Sequence, residues 1–167
     1  MKYASTVILI LSLSLSSCSD PIPEFEGNIQ ERALHILKEV SNMKDRELAS
    51  HFINQRSYSK FDSEATCPIV QLRDIKDLID SHLEGNIKDC RKMLNRSYHN
   101  WADNYKVNWS AFQVVDFKVE NDYCLKHGFL KVSDQQREFF FEFDYITDND
   151  RDYLLEATGF KCVQNCE

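Results

Sequence analysis

Few residues in this 167-residue chain could do covalent or ligand chemistry, and they are scattered. The five histidines are His35, His51, His82, His99 and His127. None belongs to a His-Glu-x-x-His pattern or another metal-ligand spacing, so each reads as a structural or surface residue. There is no Gly-x-Ser-x-Gly, and Gly27, Gly85, Gly128 and Gly159 stand alone, which removes the strained nucleophile turn and the phosphate-cradling loop. Asp148, Asp150 and Asp152 have the spacing that opens an EF-hand loop. However, Tyr153 occupies the sixth position, where that loop turns on Gly, and Gly159 the twelfth, where it needs a bidentate acid. The segment therefore reads as a solvated turn. Glu142 and Asp144 lie two apart, hence on one face if the segment is a strand, and paired carboxylates do acid/base work only when one is desolvated. Here they read as an acidic solvent face that a basic partner could dock on.

Six cysteines carry the remaining chemistry. Outside the cytosol, Cys67, Cys90, Cys124, Cys162 and Cys166 would tend to pair, forming at most two bridges. Cys67 with Cys90 would staple the helical half, and Cys124 with Cys162 would tie two strands, while Cys162 and Cys166 are close enough to compete. No Cys-x-x-Cys occurs and no histidine neighbours the Cys162/Cys166 tail, so neither a metal nor another cofactor is expected.

Cys18 is different because of what precedes it. Met1-Lys2 is a short positive start, and Tyr3 to Leu15 is almost wholly apolar or hydroxylated. That length suits a signal peptide and falls short of the roughly 20 residues a membrane span needs. Leu15-Ser16-Ser17-Cys18 resembles the lipobox of bacterial lipoproteins: an aliphatic residue, two small ones and the cysteine. The resemblance implies removal of residues 1–17 and a diacylglyceryl group on the Cys18 sulfur. It also implies a cell-envelope location, anchored to a membrane by lipid. Ser19 stands where an Asp would favour inner-membrane retention, so the resemblance leans toward the outer membrane, facing the periplasm, in a Gram-negative cell. Residues 18–27, with Pro21 and Pro23, read as an extended tether, and residues 28–167 as one domain.

The formal net charge is −7 and becomes −8 once Lys2 leaves with the leader. An acidic domain lacks the basic footprint of a nucleic-acid binder, and its overall charge argues against a second, electrostatic grip on anionic lipid.

The domain divides into a helical half and a strand half. Ile29, Ala33, Ile36, Leu37 and Val40 form one apolar stripe, predicting a helix from about Asn28 to Asn42. A second helix is expected from Asp45, whose side chain would cap it, carrying Leu48, Phe52 and Ile53 inward. Residues 54–66 read as a loop, and Pro68 could open a further helix bearing Leu72, Ile75, Leu78, Ile79 and Leu83. Gly85-Asn86 could interrupt the period, which resumes with Ile87, Cys90, Leu94, Tyr98 and Trp101 to about Asn104. The period then becomes two. Val115, Phe117 and Val119 predict a half-buried strand, Asn121-Asp122 a turn, and 124–133 a strand interrupted by Gly128. After a second turn at 134–136, Phe139, Phe141, Phe143 and Tyr145 alternate with Phe140, Glu142, Asp144 and Ile146. A last strand runs from about Tyr153 to Val163.

These elements predict an α+β domain, with N-terminal helices packed on a C-terminal antiparallel sheet of three to four strands. The element order resembles the NTF2-like and cystatin-like folds of small envelope lipoproteins, which implies a sheet wrapped on a helix and a pocket between them. The chain departs from the NTF2-like pattern in having no convincing strand within residues 54–68. The expected function is therefore non-enzymatic: a lipid-anchored domain presenting an acidic surface to a protein partner, of which toxin neutralisation by an immunity-type lipoprotein is one form. Glu142, Asp144, Trp101 and Trp109 are the candidate partner-binding residues, aromatics being disproportionately important at interfaces. The alternative is a small module that binds or transfers an apolar ligand in the implied pocket.

Overall fold

The computed structural model describes residues 25–53, 75, 83–148 and 151–166. Cys18, the lipobox, Cys67, Pro68, His82 and the loop expected at 54–66 lie outside the described residues. The first helix, α1, spans Ile29–Glu39. It starts where the sequence predicts because Asn28 and Glu31 form a reciprocal cap: the Asn28 side chain accepts from the Glu31 amide at 2.9 Å, and Glu31 accepts from the Asn28 amide at 3.0 Å. Helix α2 spans Asp45–Ser50. Lys44, not Asp45, is its N-cap, and no side chain caps it. Asp45 is the first helical residue, and its carboxylate instead meets the Arg91 guanidinium at 2.7 Å.

Helix α3 spans Leu83–Tyr98 and continues through a π-helical turn, His99–Asn104. It runs straight through Gly85-Asn86, where the sequence allows a break. Gly85 faces open space and costs about 1 kcal/mol of helix propensity, while the Asn86 amide side chain reaches the Leu155 carbonyl. Ala33, Ile36 and Leu37 of α1, Leu48 of α2 and Cys90 and Leu94 of α3 are all buried in one core.

Four antiparallel strands follow as a meander in the order β1-β2-β3-β4: Gln113–Asp122, Leu125–Ser133, Glu138–Asp148 and Arg151–Gln164. The fold is thus α+β, with helices N-terminal to a four-stranded sheet. The inner face carries Leu130, Val132, Phe139, Phe141, Phe143, Tyr145 and Leu154 against the helices. Trp109 and Phe112, at the short 3-10 turn Trp109–Ala111, complete this core. Buried side chains of α1, α3 and the inner sheet face meet in this one cluster.

Two strand expectations are corrected. A bulge between Val114 and Asp116 breaks the alternation of β1, so Val114 faces the core and Val115 is 48% exposed. The turn after β1 is Tyr123-Cys124 rather than Asn121-Asp122. Asp122 still pairs with Leu125, and Tyr123 adopts φ 54° and is 74% exposed.

The chain also uses the edge of β4. After α2, the Ile53 amide donates to the Leu154 carbonyl and the Leu154 amide to the His51 carbonyl. Phe52 thereby enters the main core, while Ile53 joins a second cluster with Ile75, Ile146, Tyr153 and Leu155. Ile146 is consequently buried although it alternates with the inner-face aromatics.

Candidate binding surface

The outer face of the sheet, turned away from α1 and α3, carries the charged residues. Glu142 and Asp144 both lie there, as alternation along β3 predicts. Strand register decides what they meet. Glu142 stands opposite Gly159 of β4, and its carboxylate takes the Lys161 ammonium at 2.5 Å. Lys131 pairs with Glu138 at the same distance. Asp144 stands between His127 of β2 and Glu156 of β4, and His127 in turn opposes Glu120 of β1. Glu120, His127, Asp144 and Glu156 therefore form one row across all four strands.

Within this row, His127 Nδ1 and Asp144 Oδ1 are 2.5 Å apart. The carboxylate can only accept, so Nδ1 carries the proton. Glu156 is half-buried. Burial first, and the neighbouring Asp144 carboxylate second, push its carboxyl above the ordinary range. The row thus sets three carboxylates against one imidazole, and Phe129 lies half-buried in the next row. Sequence reasoning found Glu142 and Asp144 but missed Glu120, His127 and Glu156. They lie on three other strands, and only the register across three hairpins aligns them.

The two candidate tryptophans do not join this surface. Trp109 is 3% exposed, its ring centroid 4.9 Å from Phe160 and 5.3 Å from Phe112. It is a core residue, correcting the expectation that it contacts a partner: the 3-10 turn directs it beneath the sheet instead of into solvent. Its indole N–H has no acceptor among the described residues. Trp101 is half-buried, edge-on to Phe139 at 5.4 Å, with Tyr105 on its other side at 4.8 Å. It too belongs to the helix–sheet junction.

The cysteines are also redistributed. Cys162 is bonded to Cys166, and Cys124 is disulfide-bonded as well, so the Cys124–Cys162 pair does not form. Cys90 is a free thiol with no exposed surface, which removes the Cys67–Cys90 pair. The inward face of α3 places Cys90 in the core, and burial pushes its thiol up to about 12.

A second polar cluster sits where the chain enters the domain. Arg32 is 2% exposed; one guanidinium nitrogen donates to the Phe25 carbonyl at 3.2 Å and another lies 3.4 Å from His51 Nδ1. Its guanidinium carbon is 5.0 Å from the Phe25 ring centre and 5.4 Å from that of Tyr153, a cation–π arrangement, and the Asp152 carboxylate also favours the charged guanidinium. His35 and His51 complete a ring cluster with Phe25, centroids 5.3 to 5.4 Å apart. Asp152, offered by its spacing as a calcium ligand, is used nearby. It accepts from the Ile29 amide and from the Thr147 hydroxyl, at 3.3 and 2.6 Å, so it ties the start of α1 to the β3–β4 hairpin.

Among the described residues, no group of histidine, cysteine and carboxylate side chains could hold a metal ion, and no helix is long and apolar enough to cross a membrane. No family model matches the chain, and no curated protein or solved structure matches it.

Proposed function

We propose that this chain is a lipid-anchored envelope protein that acts by binding, with the outer face of its sheet docking a basic surface on a protein partner. The row Glu120–His127–Asp144–Glu156 carries this reading. Three carboxylates in line, one of them already disfavoured as an anion by burial and by its neighbour, gain most from a cation that settles between them. Glu120 and Glu156 have no cationic partner among the described residues, whereas Glu142 is already matched by Lys161. The binding hot spot therefore moves from Glu142 to the row. A form of this function is neutralisation of a basic toxin reaching the periplasm.

The anchor at Cys18 and the outer membrane as its site belong to the same proposal and rest on the lipobox resemblance. A thioether-linked diacylglyceryl group contributes roughly 0.8 kcal/mol per buried CH₂, and two chains hold durably. Two measurements test the reading. Cys18→Ser should move the chain from the membrane to the soluble fraction; unchanged processing and fractionation would remove the anchor. Cross-linking in membranes should yield a partner adduct that Glu120→Lys with Glu156→Lys abolishes. An adduct that survives the double charge reversal would move binding off the row.

A further inference from the structure

The net charge of the chain hides a local reversal. Between α2 and the first turns of α3 lies an open groove of about 560 Å³. Ala49 and Ile87 give it an apolar floor, and Arg46, Lys88, Arg91 and Lys92 line its walls. Two of these cations are matched by carboxylates that also line the groove: Lys88 by Glu84 at 3.4 Å and Arg91 by Asp45 at 2.7 Å. Arg46 and Lys92 meet no carboxylate among the described residues. Arg91 holds the groove in place, since it also donates to the Val40 carbonyl at the end of α1, and one of its guanidinium nitrogens is buried without a hydrogen-bond partner.

We infer that this groove binds the head group of an anionic phospholipid in the bilayer to which the chain is tethered. The choice of occupant rests on the anchored reading above. Charge complementarity supports it: two unmatched cations over an apolar floor suit a phosphate joined to a glycerol ester. The volume is that of a small-molecule site, too small for a protein segment of interface size. Reach supports it as well. The seven residues from Cys18 to Phe25 extend to at most about 25 Å. Phe25 packs on His51, which caps the C-terminus of α2. Six helical residues rise about 9 Å, so the groove lies on the order of 15 Å from the tether's exit. The groove belongs to the helical layer, on the opposite side of the sheet from the acidic row. Seating a lipid there would turn that row away from the membrane. The expectation from net charge, that no second electrostatic grip exists, is replaced by one local to this groove.

The test uses the full chain carrying Cys18→Ser, so that no acyl anchor contributes and failure of the anchor reading is distinguishable from failure of this one. Partition is measured on vesicles of phosphatidylcholine and on the same vesicles with phosphatidylglycerol added. The anionic vesicles should bind at least about tenfold more tightly, because each cation near an anionic surface contributes about 1 kcal/mol. Arg46→Glu with Lys92→Glu, both on exposed positions, should abolish that preference with the thermal midpoint unchanged. Amine labelling on anionic vesicles should protect Lys88 and Lys92, and leave Lys118 and Lys161 of the outer sheet face reactive. Equal partition on the two vesicles would overturn the lipid assignment. So would a preference that survives the double reversal.

Discussion

Gly128 and Phe143 face each other across β2 and β3, and the phenyl ring occupies the volume in which any other residue would carry its Cβ. A Cβ built on Gly128 lies 2.5 Å from the Phe143 ring. The ring itself is enclosed, stacked near Phe117 and packed between Phe141 and Tyr145. The glycine that interrupts the strand pattern in the sequence is thus required by close approach, not by a turn. Gly128→Ala should destabilise the fold by about 1–3 kcal/mol, the usual range for overpacking a core. Thermal unfolding measures this, and Phe143→Leu in the same chain should recover part of the loss. An unchanged midpoint in the single variant would refute the account.

His51 makes stability depend on pH in a stated direction. Burial first, then the Arg32 guanidinium and then His35, lower its imidazole from 6.5 to about 3. Between those values the unfolded chain takes up a proton that the native state refuses. Stability contributed by neutral His51 is therefore present above pH 6.5 and is lost as pH falls toward 3, at up to about 1.4 kcal/mol per pH unit. Denaturant melts across that window measure the slope. His51→Gln should flatten it, although its stability near neutrality falls. A slope equal in both proteins would show that other groups control acid unfolding.

Cys90 should be inert while the protein is folded. With no exposed surface and a thiol pushed up to about 12, it offers neither access nor thiolate near neutral pH. Iodoacetamide followed by mass spectrometry should leave Cys90 unmodified in native protein and alkylate it in denaturant. Native labelling would mean that α3 opens readily. Cys90→Ser would place an extra hydroxyl in the core and should cost more than Cys90→Ala.

The Cys162–Cys166 bridge closes a loop with a sequence separation of only 4. On the chain-entropy account, so short a loop contributes about 2 kcal/mol. Cys162→Ser with Cys166→Ser should lower the unfolding free energy by that order, moving the denaturant midpoint down at an unchanged slope. Because Asn165 hydrogen-bonds the Gln136 carbonyl in the β2–β3 turn at 2.9 Å, amide exchange should rise in both that turn and the end of β4. A loss confined to β4 would show that the disulfide acts on the strand alone.

What could be read in the chain itself was periodic and local. Apolar spacing located α1 and the phenylalanine strand, and the change of period from 3.6 to two divided helices from sheet. These signals survive because each concerns one segment and one buried face. The lipobox-like run that ends at Cys18 is likewise a linear pattern that needs no fold. Pairings between distant residues were decided by tertiary structure. One extra residue at Val115 turned the start of β1 over, the depth of Trp109 followed from a single 3-10 turn, and the inward face of α3 denied Cys90 a partner. Glu120, His127, Asp144 and Glu156 became one row only through the register of three successive strand pairs. A side chain's neighbours across a sheet depend on hydrogen-bond register, and register is settled by the packing of the whole inner face.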